Sequence, residues 1–154
     1  MRFASSNAVF GNFETSLGTI PGAGGAIYMP QLIGRGRAFE YLLSGNDIDA
    51  GSAEKYGWIN RMFNSSSTLD AYVNDLAARI ALFPREGLIA AKACVNLITR
   101  PTKEDLAFDS NNYSSLVSLP DAQQLFGKFL ILTKNETDVE VELNLGAEVV
   151  KMYQ

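Results

Sequence analysis

One acid stands just ahead of a glycine-rich turn. In Phe10-Gly11-Asn12-Phe13-Glu14-Thr15-Ser16-Leu17-Gly18-Thr19-Ile20-Pro21-Gly22-Ala23-Gly24-Gly25, Glu14 follows a short apolar run, and Gly22, Gly24 and Gly25 precede another. A carboxylate so placed can give or take a proton, and glycines allow close backbone approach and positive φ. If a helix opens near Gly25, its first N–H groups are free to meet an anion or a carbonyl oxygen. The spacing fits neither the P-loop, which requires Gly-Lys-Ser/Thr, nor the dinucleotide fingerprint, because glycines at 22, 24 and 25 do not give G-x-G-x-x-G. On spacing alone, a tight turn beside a solvated glutamate is the simpler reading.

Composition narrows the remaining chemistry. Cys94 is the only cysteine and histidine is absent, which removes intramolecular disulfides, Cys/His zinc sites, Ser-His-Asp triads and Cys-His dyads. Catalysis must rest on carboxylates, backbone amides or basic side chains, and no metal site is expected. Cys94, among Ala91, Ala93 and Val95, reads as a small core residue. Arg35 and Arg37 flank Gly36 at an expected helix start and could meet phosphates, although solvated surface is the simpler reading. Lys128 and Lys134 read as exposed lysines, and Glu40, Asp47, Asp49 and Glu54 as helix caps and surface charges.

Thirteen Lys and Arg against seventeen Asp and Glu leave a net charge of −4, so no broad positive field for nucleic acid or an anionic membrane is expected. No apolar run approaches the ~20 residues that span a bilayer, and the N-terminus lacks a signal-peptide layout. The expectation is a soluble, intracellular protein without a membrane span, with cytoplasm, mitochondrion and peroxisome all open. The sequons at Asn64, Asn112 and Asn135 then read as chance matches.

The elements that must position Glu14 follow from local pattern. A chain of 154 residues with 47% hydrophobic content suits one globular domain. Phe3, Val9 and Phe10 around Ser5-Ser6-Asn7 predict two short strands, which begin almost at Met1 and need further sheet partners. A short or kinked helix is expected through Pro30, another from Arg37 to Leu43 stopped by Gly45, then a helix capped by Asp49 and ended by Gly57, and a strand over residues 58–63. Beyond residues 64–67 the period becomes helical: Leu69, Tyr72, Val73, Leu76 and Ile80 share one face, which reads as core. Further helices are predicted from Glu86 to Ile98, from Thr102, from Pro120-Asp121, and, more weakly, from Asn135 to about Met152. The fold class is thus α/β over residues 1–66, followed by a helical region over 67–154.

The string Phe10-Gly11-x-x-Glu14-x-x-Leu17-Gly18-x-x-Pro21-Gly22-x-Gly24-Gly25 is followed by Leu32-Ile33-Gly34-Arg35, Ala38-x-Glu40, Leu43-Ser44-Gly45-x-Asp47-Ile48-Asp49-Ala50 and Gly57-Trp58-Ile59-Asn60-Arg61. Together they resemble the signature region of the crotonase superfamily, the enoyl-CoA hydratase/isomerase family. The resemblance implies a truncated crotonase-like ββα core followed by a helical oligomerisation region that would form trimers or hexamers. It also implies hydration or double-bond isomerisation of acyl-CoA or enoyl-CoA thioesters through an enolate, chemistry of the fatty-acid β-oxidation type. Coenzyme A is then part of the substrate, and no separate cofactor is implied. Glu14 would be general acid/base, Pro21, Gly22, Ala23 and Gly24 would line the acyl pocket, and Arg35 and Arg37 would meet the coenzyme A phosphates. Phe13 stands where the family often has proline. The family's two oxyanion N–H donors and its second glutamate come from upstream segments, so roughly the first third of a full-length member is expected to be missing. Weak activity or none is the expectation for this chain alone, with a non-catalytic oligomerisation remnant as the alternative.

Overall fold

The computed structural model describes residues 1–134 and 137–154. The predicted strands form as β1 (Phe3–Ser5) and β2 (Val9–Phe10), separated by a turn in which the Ala8 N–H donates to the Ser5 carbonyl at 3.0 Å. They do not pair with each other. β1 runs parallel to β4 (Arg61–Phe63), with Phe3 opposite Arg61, while β2 runs antiparallel to β3 (Ile48–Asp49), with Phe10 opposite Ile48. Between them lie a 3-10 turn (Glu14–Leu17), α1 (Gly25–Ile33), α2 (Arg35–Ser44) and α3 (Ala50–Tyr56). These elements bury Ala4, Met29, Ile33, Leu42, Ile48 and Ile59 as a first core.

Local signals hold well here. The Asp49 carboxylate accepts the Ser52 N–H at 2.9 Å and opens α3, and Gly57, at φ 85°, closes it. Gly45, at φ 67°, ends α2. The strand predicted over residues 58–63 shrinks to its last three residues. Its first donors are committed elsewhere, since the Trp58 and Ile59 N–H groups bond back to the Ala53 carbonyl at 2.9 and 3.2 Å and cannot join a ladder.

The helical region comprises α4 (Ser66–Ala81), α5 (Arg85–Thr99), α6 (Lys103–Val117) and α7 (Pro120–Leu132). Thr102 and Asp105 form a capping box at α6, and Pro120 occupies the first turn of α7, where its missing N–H costs nothing. The single weak helix predicted from Asn135 is instead three short pieces: α8 (Val139–Glu142), α9 (Leu145–Glu148) and a 3-10 turn (Val149–Tyr153). Asn144, at φ −133°, breaks the helical path between the first two. Asn135 itself, with the start and the sequon assigned to it, lies outside the described residues.

Two core assignments are corrected. No residue of α4 is buried: Leu69, Tyr72, Leu76 and Ile80 are half-buried and Val73 is exposed. The stripe leans on a thin edge of the sheet, where the Tyr72 ring meets Phe3 and Phe63 at 5.4 and 5.1 Å, and its residues stay at best half-buried among the described residues. α5 buries no residue either, so Cys94 is exposed and not a core residue. Its apolar neighbours in sequence lie around an uncovered helix. A second core, of Leu17, Phe129, Leu145, Val149 and Met152, joins the 3-10 turn at Glu14 to α7 and the C-terminal pieces. Among the described residues no helix is long and apolar enough to cross a membrane.

Candidate active site

Glu14 is the first residue of a 3-10 turn tied down along its length. Gly18, at φ 75°, ends the turn, and the Thr19 N–H returns to the Glu14 carbonyl at 3.2 Å. The Thr15 hydroxyl donates to the Leu42 carbonyl at 2.5 Å, which fastens the turn to α2. Leu17, only 2% exposed, anchors it in the second core. Phe13, just ahead, stacks on Phe129 at 5.1 Å and 19°, which builds its ring into the apolar wall.

The Glu14 side chain is half-buried, and its Oε2 is buried with no hydrogen-bond partner among the described residues. Burial pushes its carboxyl above the ordinary glutamate value, against hydrogen bonds from its own backbone N–H and from Asn12 that pull the other way. A raised carboxyl with one unsatisfied oxygen is suited to accepting or delivering a proton.

The oxygen-bearing turn borders a cavity of about 590 Å³. Its apolar wall is built by Phe13, Leu17, Phe126, Phe129 and Leu130, and a polar edge by Ser110, Tyr113 and Ser114 of α6. Gly22 and Ala23 complete the side next to Glu14. Glycine is required at 22 because a Cβ there would lie 2.8 Å from the Tyr113 ring. Ala23 takes φ 57°, an unusual conformation for a residue with a side chain, and Gly24 follows at φ 92°.

The helix start that these glycines open is not left free. Asp109 of α6, 1% exposed, accepts the Gly24 N–H at 2.6 Å, so the chain's own carboxylate occupies the position expected for a ligand oxygen. Its other oxygen, Oδ1, is buried without a partner among the described residues. The sequence did carry a sign of this, since Asp109 interrupts the stripe Leu106, Asp109, Tyr113, Leu116 on α6. An acid on an apolar stripe must find a donor inside the fold.

Of the residues singled out from sequence, Glu14, Gly22 and Ala23 come together at this cavity. Gly24 and Ala23 border a neighbouring cavity of about 280 Å³ with Arg2, Asn12, Tyr28 and Trp58. Pro21 is buried behind the turn, where a Cβ at Gly25 would lie 2.7 Å from its ring. Arg35 and Arg37 are not brought to either cavity. The Arg35 guanidinium lies over Phe39 at 4.3 Å, and that of Arg37 over Tyr56 at 4.5 Å with a bond to the Ile33 carbonyl at 3.4 Å. The wall residues of α6 and α7 were invisible to sequence reasoning, because which face of each helix turns to Glu14 is decided by packing alone. No cluster of possible metal ligands occurs among the described residues.

Known proteins resemble this chain in sequence and fold. The family model for enoyl-CoA hydratase/isomerase matches residues 1–131. A probable enoyl-CoA hydratase of Rhizobium meliloti is 31% identical over 134 residues, 86% of this chain and 52% of its own length. The short-chain-enoyl-CoA hydratase of Clostridium acetobutylicum is 29% identical over 140 residues, 88% of this chain and 52% of its own. A crystal structure of a candidate enoyl-CoA hydratase from Streptomyces avermitilis superposes with a TM-score of 0.88 at 39% identity, covering 97% of this chain and 53% of that one. This chain therefore spans about half the length of these relatives.

Proposed function

The chain belongs to the enoyl-CoA hydratase/isomerase family, and from that premise we propose that it supplies the acid and the acyl pocket of a site for acyl-CoA or enoyl-CoA thioesters. The reaction is hydration or double-bond isomerisation through an enolate, with Glu14 as general acid/base and coenzyme A entering as part of the substrate. The observation that carries this reading is Glu14 itself, with its pKa raised by burial and an unpartnered oxygen, in the wall of a cavity lined mainly by apolar side chains.

The same geometry argues for an incomplete site. Glu14 is the one carboxylate in that wall among the described residues. An enolate oxygen also needs fixed N–H donors, and the Gly24 N–H of the glycine turn is engaged by Asp109. Each oxyanion donor lacking costs about 2.7–4 kcal/mol of transition-state stabilisation. Residues 1–154 alone are therefore proposed to turn over crotonyl-CoA slowly or not at all.

A second reading rests on α5. Ile89, Leu97 and Ile98 are 49%, 86% and 87% exposed on a helix that buries nothing, and an isolated helix of that length is marginal in water. The chain would then serve as an oligomerisation module, a trimer or hexamer contact without the chemistry. Titration calorimetry with acetoacetyl-CoA, on a species defined by size-exclusion chromatography, separates the two. Saturable binding supports the thioester site; a folded chain that binds nothing supports the oligomerisation module. Crotonyl-CoA turnover within the ordinary range of ~1–10³ s⁻¹ would overturn the incomplete-site reading.

A further inference from the structure

The family model ends at residue 131, yet the C-terminal pieces beyond α7 lie against the turn that carries Glu14. Leu145, Val149 and Met152 close on Leu17, three residues past Glu14. The Tyr153 hydroxyl donates to the Ser16 carbonyl at 2.6 Å, and Lys128 Nζ donates to the Met152 carbonyl at 2.6 Å. One side chain of the α/β region holds this tail in place. Asp47 Oδ2 accepts the Gly146 N–H at 2.8 Å, satisfying a donor in the first turn of α9, which the side chain of its own N-cap residue, Asn144, does not cap.

The fit is close on both sides of Asp47. A Cβ at Gly146 would lie 2.5 Å from the Asp47 backbone nitrogen, and a Cβ at Gly11 would lie 3.1 Å from Asp47 Oδ1. The half-buried Asp47 carboxylate thus sits between the tail and the segment that leads to Glu14, and of the two roles expected for it, cap or surface charge, it serves as a cap for a helix 99 positions away. We infer that Asp47 is a positioning residue for Glu14: by bonding the Gly146 N–H it docks residues 145–153 on Ser16 and Leu17 and fixes the turn from which Glu14 meets the cavity. The inference rests on Glu14 being the acid of the thioester site.

The test follows the Glu14 carboxyl in ¹³C-glutamate spectra of the full chain, its signal identified by loss in Glu14→Gln. Asp47→Ala and Gly146→Ala are expected to lower its titration midpoint toward the ordinary glutamate value, because water reaches a loosened turn. Both are expected to weaken acetoacetyl-CoA binding about tenfold, equivalent to about 1.4 kcal/mol. Asp47→Asn keeps an acceptor for the Gly146 N–H and is expected to stay near wild type in both. A midpoint unmoved in folded Asp47→Ala overturns the inference, and so does one moved equally by Asp47→Asn, which would report only the lost charge. If Asp47→Ala does not fold, Tyr153→Phe removes the bond to Ser16 while sparing the core, and an unmoved midpoint there is equally decisive against it. A wild-type chain that binds no acetoacetyl-CoA would sink the thioester reading, while the midpoints still report whether the tail sets Glu14.

Discussion

The turn at Glu14 and the helix α5 both present apolar side chains, and those side chains end in opposite environments. Around the turn, Leu17, Phe129 and Val149 are all under 10% exposed, drawn from three separated stretches of chain. On α5 the residues Val95, Leu97 and Ile98 are all more than 60% exposed. Periodicity therefore states which face of an element is ready to be covered, and only the presence of a second surface turns that readiness into a core.

That contrast can be broken most sharply by deletion of a large side chain on each side. Leu17→Ala is expected to cost about 2–5 kcal/mol in denaturant unfolding, as for a buried leucine whose cavity cannot collapse. A loss below about 1 kcal/mol would mean that the tail and the turn are not one packed unit. Next in size is Glu14→Gln. Because burial raises the Glu14 pKa above its usual 4.5, the folded state holds the proton more tightly than the unfolded state does. Its contribution to stability is therefore full below that value and lost as pH rises through the folded pKa. Glu14→Gln should accordingly melt higher than wild type at neutral pH, and the difference should vanish in thermal scans below pH 4.5. A difference independent of pH would rule out ionisation as its cause. The smallest expected effect is that of Leu97→Ala, within about 0.5 kcal/mol in dilute solution, as for an exposed position. A loss that grows with protein concentration would show that α5 is covered in an assembly, and would sharpen the comparison by supplying the missing surface.

What was legible in the sequence was what a few neighbouring residues decide. Asp49 and Gly57 bound α3, the Thr102–Asp105 box opens α6, and Pro120 starts α7, each through groups within four residues of one another. Glu14 beside Gly22 and Ala23 was legible too, since the strand, the acid and the turn are consecutive. Asp109 on Gly24 and Asp47 on Gly146 span 85 and 99 positions. Asp109 left a local sign in its place on the apolar stripe of α6, but no local rule names its partner, and none distinguishes Asp47 from a solvated acid. Cys94 failed for the converse reason, because apolar neighbours along a helix are not neighbours across a core. Arg35 and Arg37 were correctly placed at a helix start, but their guanidinium groups are spent on aromatic rings of their own region.

The contact of Gly22 with Tyr113 also fixes where this pocket can change shape. On that side the backbone of the turn meets an aromatic ring with no side chain between them, so the turn itself has no side chain to trim and no room for one to be added. Under the proposed thioester function, remodelling for a longer or bulkier acyl group therefore falls to side chains that can be trimmed, such as Phe126, Phe129 and Leu130 of α7. One wall is a fixed jaw and the other is the adjustable one, so libraries aimed at changing chain length belong on α7 and not on the glycine turn.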